Sequence, residues 1–435
     1  MVSEPFESTA DVVVIGGGIV GAATAYYLAK RRVKVVLLEK GNIGNEQSSR
    51  AWGFVRQQGR DPAELPLMIE SNKIWPGLSE ELGTDIEWVQ GGVLTVANDD
   101  EQLGRFEEWL KSVKGFNLDT RMMSREEVAR LIPDMEGSWV GGMYTPSDGH
   151  AEPTKVPNAF ARAAASLGAT IYTHCPAQRI ELSAGRVSGV VTERGTIKTS
   201  VVVCAAGAWS TKIARTLGIS LPQLAVLSTA AETEPVRPLT RAAVWTQGCA
   251  FRQRSNGSLY VAGGARGGID LTLDSFRYAR YFLPNYLKNR SIFTMQVGRR
   301  LLRDIRQTIG FPRNGDLPPF AQAGDIEPTP NLKLAQKSRD NFMKLFPSLG
   351  PVRIRRVWAG YIDSLPDALP VLGESGHVQG FIFATGFSGH GFAMGPIVGR
   401  LMSELIIDGQ TSIDISQLSF DRFREGKIGK PKSLV

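Results

Sequence analysis

In residues 11–15, Asp-Val-Val-Val-Ile, the four after the aspartate are an unbroken apolar, β-branched run, the pattern of a strand buried on both faces of a parallel sheet. The run feeds into Gly16-Gly17-Gly18-Ile19-Val20-Gly21, and the apolar spacing over 22–30 predicts a helix, small at its start and amphipathic beyond. A second apolar run over 33–38 ends at Glu39. Strand, glycine turn, helix and a strand closing on an acid are the parts of a dinucleotide-binding βαβ unit. Gly16 permits the tight turn, Gly18 lets backbone approach a pyrophosphate, and Gly21 lets helix and strand meet closely. The free N–H groups of Ile19 and Val20 at the helix start face the phosphates, and Glu39 accepts the ribose hydroxyls. An acid at 39 argues against a 2′-phosphate and leaves FAD and NAD both open.

Further along, 201–204 reads as a third buried strand ending in a small-residue turn, Ala205-Ala206-Gly207. Residues 380–395 repeat the theme, a strand that delivers a glycine-rich turn onto a helix continuing over 396–407. Helical spacing marks 65–82 and 101–111, and strand patterns mark 92–97, 251–253 and 259–263. The cofactor segments are therefore interrupted twice by stretches that build a second domain. No clean linker separates the two, and no internal repeat is present.

Composition narrows the class. Of 435 residues, 42% are hydrophobic and 21% charged, the balance of a globular protein. No run is long enough to span a bilayer, the N-terminus has no secretory pattern, and Cys175, Cys204 and Cys249 have no metal-ligand spacing, so a reduced cytoplasmic setting is expected. A net charge of +7 permits nucleic acid, an anionic membrane surface or an acidic substrate as partner. The absence of any nucleic-acid motif removes the first.

The fingerprint, the Ser48-Ser49-Arg50 loop, Ala205-Ala206-Gly207-Ala208-Trp209-Ser210 and Gly386-Phe387-Ser388-Gly389-His390-Gly391-Phe392 together resemble the D-amino-acid oxidase superfamily of FAD-dependent oxidoreductases. The branch that contains glycine, sarcosine and iminodiacetate oxidases is nearest. The resemblance implies an α/β fold, with a Rossmann-type FAD-binding domain from 1–53, 151–221 and 356–435. An α+β substrate domain with a mixed or antiparallel sheet would come from 54–150 and 222–355. It implies non-covalent FAD, since Arg50 and Ala393-Met394-Gly395 hold no histidine or cysteine for attachment. Gly16, Gly18, Ile19, Val20 and Gly21 would hold the pyrophosphate, with Glu39 and Lys40 at the ribose. Ser48, Ser49 and Arg50 would line the diphosphate and flavin approach, Ala177 the adenine side, and Ala206 and Gly207 would close over the cofactor. Gly360, Gly386, Ser388, Gly389, His390 and Gly391 would sit by the flavin.

The implied activity is oxidation of the C–N bond of a small carboxylated amine, an N-substituted glycine such as sarcosine or iminodiacetate. A D-amino acid or glycine, or service as the flavin subunit of a hetero-oligomeric amine dehydrogenase, are the alternatives. Electrons would pass to oxygen or to a quinone or other carrier. The carboxylate calls for a cation, but the sequence departs from its relatives here: Ile362 stands where glycine-oxidase-like members carry arginine, and Ala393 where sarcosine-oxidase-like members carry lysine. Arg56, Arg252, Arg254 and Arg266 are the replacements to consider, each with surface ion pairing as its alternative. His390 either polarises the substrate or ring or makes a structural hydrogen bond, and Tyr260 and Tyr361 are candidate lids.

One segment is separate in character. Residues 275–310 carry eight arginines and lysines, interleaved with aromatics such as Phe276, Tyr281 and Phe293, and Pro284 predicts a split into a helical hairpin within a basic insertion at about 270–310. That composition suits a peripheral helix on an anionic membrane, or a docking face for a subunit.

Overall fold

The structure is a computed structural model and describes residues 6–264, 267–288, 293–298, 301–302, 304–305 and 319–434. The buried runs of the sequence form one six-stranded sheet, ordered Val371–Glu374, Phe381–Thr385, Val201–Cys204, Val12–Ile15, Val35–Leu38, Thr170–Tyr172. Neighbours are parallel except the first pair. Ile15 is in register with both Leu38 and Cys204, so the loops that follow them, beginning at Gly16, Glu39 and Ala205, open along one edge. Ligands of open parallel sheets bind outside that carboxyl edge.

The helix Ile19–Lys30 departs from the expected amphipathic pattern. Every residue from Ile19 to Ala29 is buried, because the sheet, the helix Val156–Ser166 and the long helix Gly391–Asp408 enclose it. Alanines and glycines make that enclosure feasible. A Cβ on Gly399 would lie 2.6 Å from the backbone of Ala23, and one on Gly395 2.7 Å from Ile19.

A second, mixed sheet carries strands from both intervening stretches, among them Val93–Ala97, Gly141–Thr145, Ala250–Gln253 and Leu259–Ala262. The strand Ile354–Ser364, expected to enter the cofactor domain at 356, pairs along its length with Leu224–Thr233 of this sheet. The chain then crosses into the first sheet, so this strand is the bridge between the two. The helix Leu332–Leu345 covers the second sheet through Phe342, which meets Phe251 and Phe346 edge-on or tilted.

The basic insertion is divided differently from the expected hairpin. Its described part holds the helices Leu273–Arg277 and Ala279–Lys288, the strand Phe293–Gln296, which runs parallel to Gly267–Asp270, and helical residues at 301–302 and 304–305; the remainder of the expected second helix lies outside the described residues. The break falls at Tyr278, whose ring is buried, and not at Pro284, which lies inside the second helix. Asp274 fastens the first helix to Lys212 and Arg215. Arg290, Arg299, Arg300, Arg303 and Arg306 lie outside the described residues. Cys175, Cys204 and Cys249 are all free and buried. Replacing Gly399 by Val should force the two long helices apart and cost about 1–3 kcal/mol of stability, read as a lowered urea midpoint; an unchanged midpoint would show that the helices can yield.

Candidate functional site

The loops at the sheet edge enclose a long cavity of about 440 Å³ that runs from Ala177, Ile213 and Trp209 at one end to Trp245 and Arg56 at the other. Of the residues expected at a cofactor, Gly16, Gly18, Ile19, Val20, Glu39, Lys40, Ser48, Arg50, Ala177, Ala206, Gly207, Gly360, Ser388, Gly389, His390 and Gly391 line it. Gly21, Ser49 and Gly386 do not. Gly21 is structural: a Cβ there would sit 1.9 Å from the Gly16 carbonyl oxygen. Gly386 has φ +77 and donates its N–H to buried Asp363 at 2.9 Å, fixing the turn before the last long helix.

The cradle is made for an extended phosphorylated ligand. Gly16 adopts φ +108, and a Cβ there would collide with the Ala205 carbonyl oxygen at 2.4 Å. Ser48 Oγ accepts the N–H of Ile19 at 2.9 Å, which places the loop 44–50 over the start of the first helix. Glu39 accepts from the N–H groups of Gly17 and Gly41 at 2.6 and 2.7 Å, and each oxygen retains a lone pair for a hydroxyl. Burial raises its carboxyl above the usual range. Arg50 Nε, on the cavity lining, is buried without a hydrogen-bond partner among the described residues. Such groups are ordinarily satisfied, so it offers a donor to a ligand atom. At the far end the helix Gly391–Asp408 points its N-terminus at the cavity, where negative charge is stabilised. Donor-rich turns, an acid and a helix start in this order fit FAD.

The other end is aromatic and cationic. Trp52 and Trp245 lie 5.2 Å apart, and Phe54 meets Trp245 edge-on at 6.2 Å. Val226, Ser228 and Ala230 present one face of the strand Leu224–Thr233 to the same space, beside Tyr361 and Ile362. Arg56 stacks over Trp245 at 5.4 Å. Arg60 lies beside it, its Nε donating to the Arg56 carbonyl at 3.1 Å and its Nη1 buried without a partner. Both arginines are buried, and among the described residues neither forms an ion pair. Burial and the Arg60 charge push the Arg56 guanidinium down to about 9. Burial also lowers Arg60, against the opposing pull of Glu64 and Asp148.

Two expected cations resolve differently. Arg252 and Tyr260 do not line the cavity: Arg252 bonds Glu152 at 3.2 Å, and Tyr260 gives its hydroxyl to the same carboxylate at 3.2 Å. Arg254 pairs with Glu152 and Glu232 at 2.9 and 2.7 Å. This cluster is already neutralised by its own carboxylates away from the cavity, which corrects the assignment of Arg252 and Tyr260 to the site. Arg266 lies outside the described residues. Arg60 and Glu64 went unread in the sequence, although Arg56, Arg60 and Glu64 recur every fourth residue immediately before a helix.

A family model described as FAD dependent oxidoreductase matches residues 11–405. Glycine oxidase of Geobacillus kaustophilus (strain HTA426) is 27% identical over 430 residues, spanning 96% of this chain and 98% of its own. Mitochondrial sarcosine dehydrogenase of Homo sapiens is 25% identical over 442 residues; the match takes in 99% of this chain but 43% of that longer protein. Among solved structures, L-amino acid deaminase from Proteus myxofaciens in complex with anthranilate superposes with a TM-score of 0.91 at 28% identity, covering 97% of this chain and 95% of that one. Replacing Arg252 by Met should lower stability by about 3–5 kcal/mol, the cost of breaking a buried pair, with FAD content and substrate affinity unchanged. Lost affinity at full stability would return Arg252 to the site.

Proposed function

Because the chain belongs to the FAD dependent oxidoreductase family, we propose that this FAD enzyme oxidises the C–N bond of α-amino acids with apolar or aromatic side chains, and that Arg56 and Arg60 hold the substrate carboxylate. The observation that carries the reading is the pair of buried guanidiniums that, among the described residues, form no direct ion pair; Glu64 and Asp148 offset their charge only from a distance. Unpaired charge in a low-dielectric site is unfavourable, and a bound carboxylate relieves it with hydrogen bonds of the strong, charge-assisted kind. Trp52, Phe54 and Trp245 offer an apolar wall to a side chain larger than the methyl of sarcosine. The likeness to an L-amino acid deaminase supports an α-amino acid as substrate.

FAD, when bound, supplies the hydride acceptor of the reaction. The chain's own residues orient and exclude. Arg56 and Arg60 fix the carboxylate, the aromatic wall fixes the side chain, and the two together leave the α-carbon one presentation toward the flavin-side residues Gly389–Gly391. The glycine oxidase and sarcosine dehydrogenase relatives favour a second reading, an N-substituted glycine such as sarcosine or iminodiacetate. Anaerobic bleaching of the flavin by a panel of amino and imino acids, followed by readmission of oxygen, separates the two and reports the acceptor. Leucine and phenylalanine should bleach the flavin, and Arg56→Met or Arg60→Met should raise the half-bleaching concentration about 100-fold. Bleaching by sarcosine alone, or variants that behave as wild type, would overturn the proposal.

We also infer that the insertion meets an anionic membrane surface. Phe276, Leu283 and Leu287 are 60%, 49% and 58% exposed on the helices Leu273–Arg277 and Ala279–Lys288, beside exposed Arg277, Arg280 and Lys288. Apolar side chains flanked by cations are the makings of an interfacial contact. No helix of the described residues is long and apolar enough to cross a membrane. The holoenzyme should sediment with phosphatidylglycerol vesicles, and replacing Phe276, Leu283 and Leu287 by Ser should abolish this; undiminished sedimentation refutes the contact.

A further inference from the structure

Glu64 and His390 are 326 positions apart in the chain, yet Nδ1 of His390 lies 2.9 and 3.1 Å from the two carboxylate oxygens of Glu64. Glu64 is completely buried at the start of the helix Leu65–Ile74. His390 sits where the helix Gly391–Asp408 begins and lines the cavity. The charged groups that face the imidazole are Glu64, and Arg60 and Arg56 from the loop before it. Burial and the Arg60 charge push His390 down to about 4, with Glu64 pulling the other way and Arg56 adding to the depression. The ring is therefore neutral, and a carboxylate can only accept, so the ring proton resides on Nδ1 and is donated to Glu64. Nε2 is left with its lone pair, and no polar group of the described residues bonds it.

We propose that Glu64 fixes His390 in the tautomer whose Nε2 accepts a proton from the substrate ammonium, and that the substrate carboxylate switches this base on. The inference rests on the reading that Arg56 and Arg60 hold that carboxylate. An α-amino acid arrives as the ammonium, and only the neutral amine has the lone pair that drives C–H cleavage at the α-carbon. In the step, one N–H bond breaks, its electron pair stays on nitrogen, and an Nε2–H bond forms. The resulting imidazolium is held by Glu64. In the free cavity burial makes the imidazole a poor base, and the charges of Arg60 and Arg56, opposed by Glu64, weaken it further. A substrate carboxylate seated on Arg56 and Arg60 cancels that repulsion, so the base strengthens only when a molecule with an acid group is in place. His390 is thus the catalytic residue and Glu64 a positioning residue. The arrangement discriminates against amines that lack a carboxylate, which would meet an unactivated imidazole.

The test uses the FAD-loaded enzyme. Phenylacetate, an aromatic carboxylate without an amine, should bind the wild type, and because it raises the proton affinity of His390, binding at about pH 6 should take up protons from an indicator solution, more than it does in His390→Gln; equal uptake in the two belongs to Asp148, which titrates near 6, and overturns the proposal. Absence of uptake on binding overturns the proposal without any variant. In Glu64→Gln, anaerobic flavin reduction by phenylalanine at neutral pH should fall about 100-fold. It should then climb with pH in proportion to the free amine present in solution, approaching wild type where the substrate is already deprotonated. Phenylacetate affinity should stay close to that of wild type. His390→Gln should trace the same profile. Reduction rates that run parallel to wild type across the pH range overturn the role of Glu64 and His390 and leave the substrate class standing. Failure of phenylacetate to bind, or binding indifferent to Arg56→Met, instead overturns the carboxylate site itself.

Discussion

The site depends on the close backbone approach where Gly16, Gly21 and Ala205 meet. Gly16 turns with φ +108 against the Ala205 carbonyl, and Gly21 has no room for a Cβ beside the Gly16 carbonyl. With these atoms in contact, the first helix begins directly at the sheet edge and directs its free N–H groups across the cavity mouth. Gly395 and Gly399 then bring the last long helix onto the first at similarly short range. Two helix starts, from opposite ends of the chain, thereby face one elongated cavity. One suits the phosphates of FAD, the other the flavin end, and a single methyl at any of these positions would separate them.

Arginines are used in two opposite ways around this frame. Arg252 and Arg254 share Glu152, Arg254 also pairs with Glu232, and Tyr260 lies against both arginines, which makes a charge-balanced cluster. Arg56 and Arg60 are as deeply buried but lack such partners, and their charge faces the cavity. A fold tolerates that arrangement when the missing anion is a ligand. The same logic distinguishes buried acids. Asp363, pushed up to about 6 by burial, accepts from Gln47 and Gly386 and pins the flavin-side turn. Asp148, likewise raised to about 6, accepts from Gln57, Gln58 and Asn72 and pins the loop that carries Arg56 and Arg60. Position, not chemistry, gives these side chains different tasks.

The two large sheets are tied together by the strand Ile354–Ser364. Its pairing with Leu224–Thr233 belongs to the second sheet, while Gly360 presses on Arg50 and Asp363 reaches the turn at Gly386. Substrate-side and cofactor-side residues are therefore held by one continuous strand, which couples their relative placement to backbone geometry rather than to side-chain contacts.

What the sequence determined alone is the cofactor end. Glycine spacing, a buried strand before it and an acid after the next strand are local patterns, because each glycine is required by its own turn or by a neighbour a few residues away. A dinucleotide site and the mixed α/β architecture were legible for that reason, while FAD and amine oxidation were legible only through the resemblance carried by Ser48–Arg50, Ala205–Ser210 and Gly386–Phe392. The substrate end was not. Arg56 and Arg252 look alike as sequence, each an arginine after an apolar stretch, and only the tertiary placement of Glu152 neutralises one and leaves the other free. Arg60 and Glu64 gain meaning from His390, 326 positions away from Glu64. Tyr278, rather than Pro284, ends the first insertion helix because its ring finds a buried seat. Partnership in a low-dielectric interior is a property of what the fold brings together, and no local pattern records it.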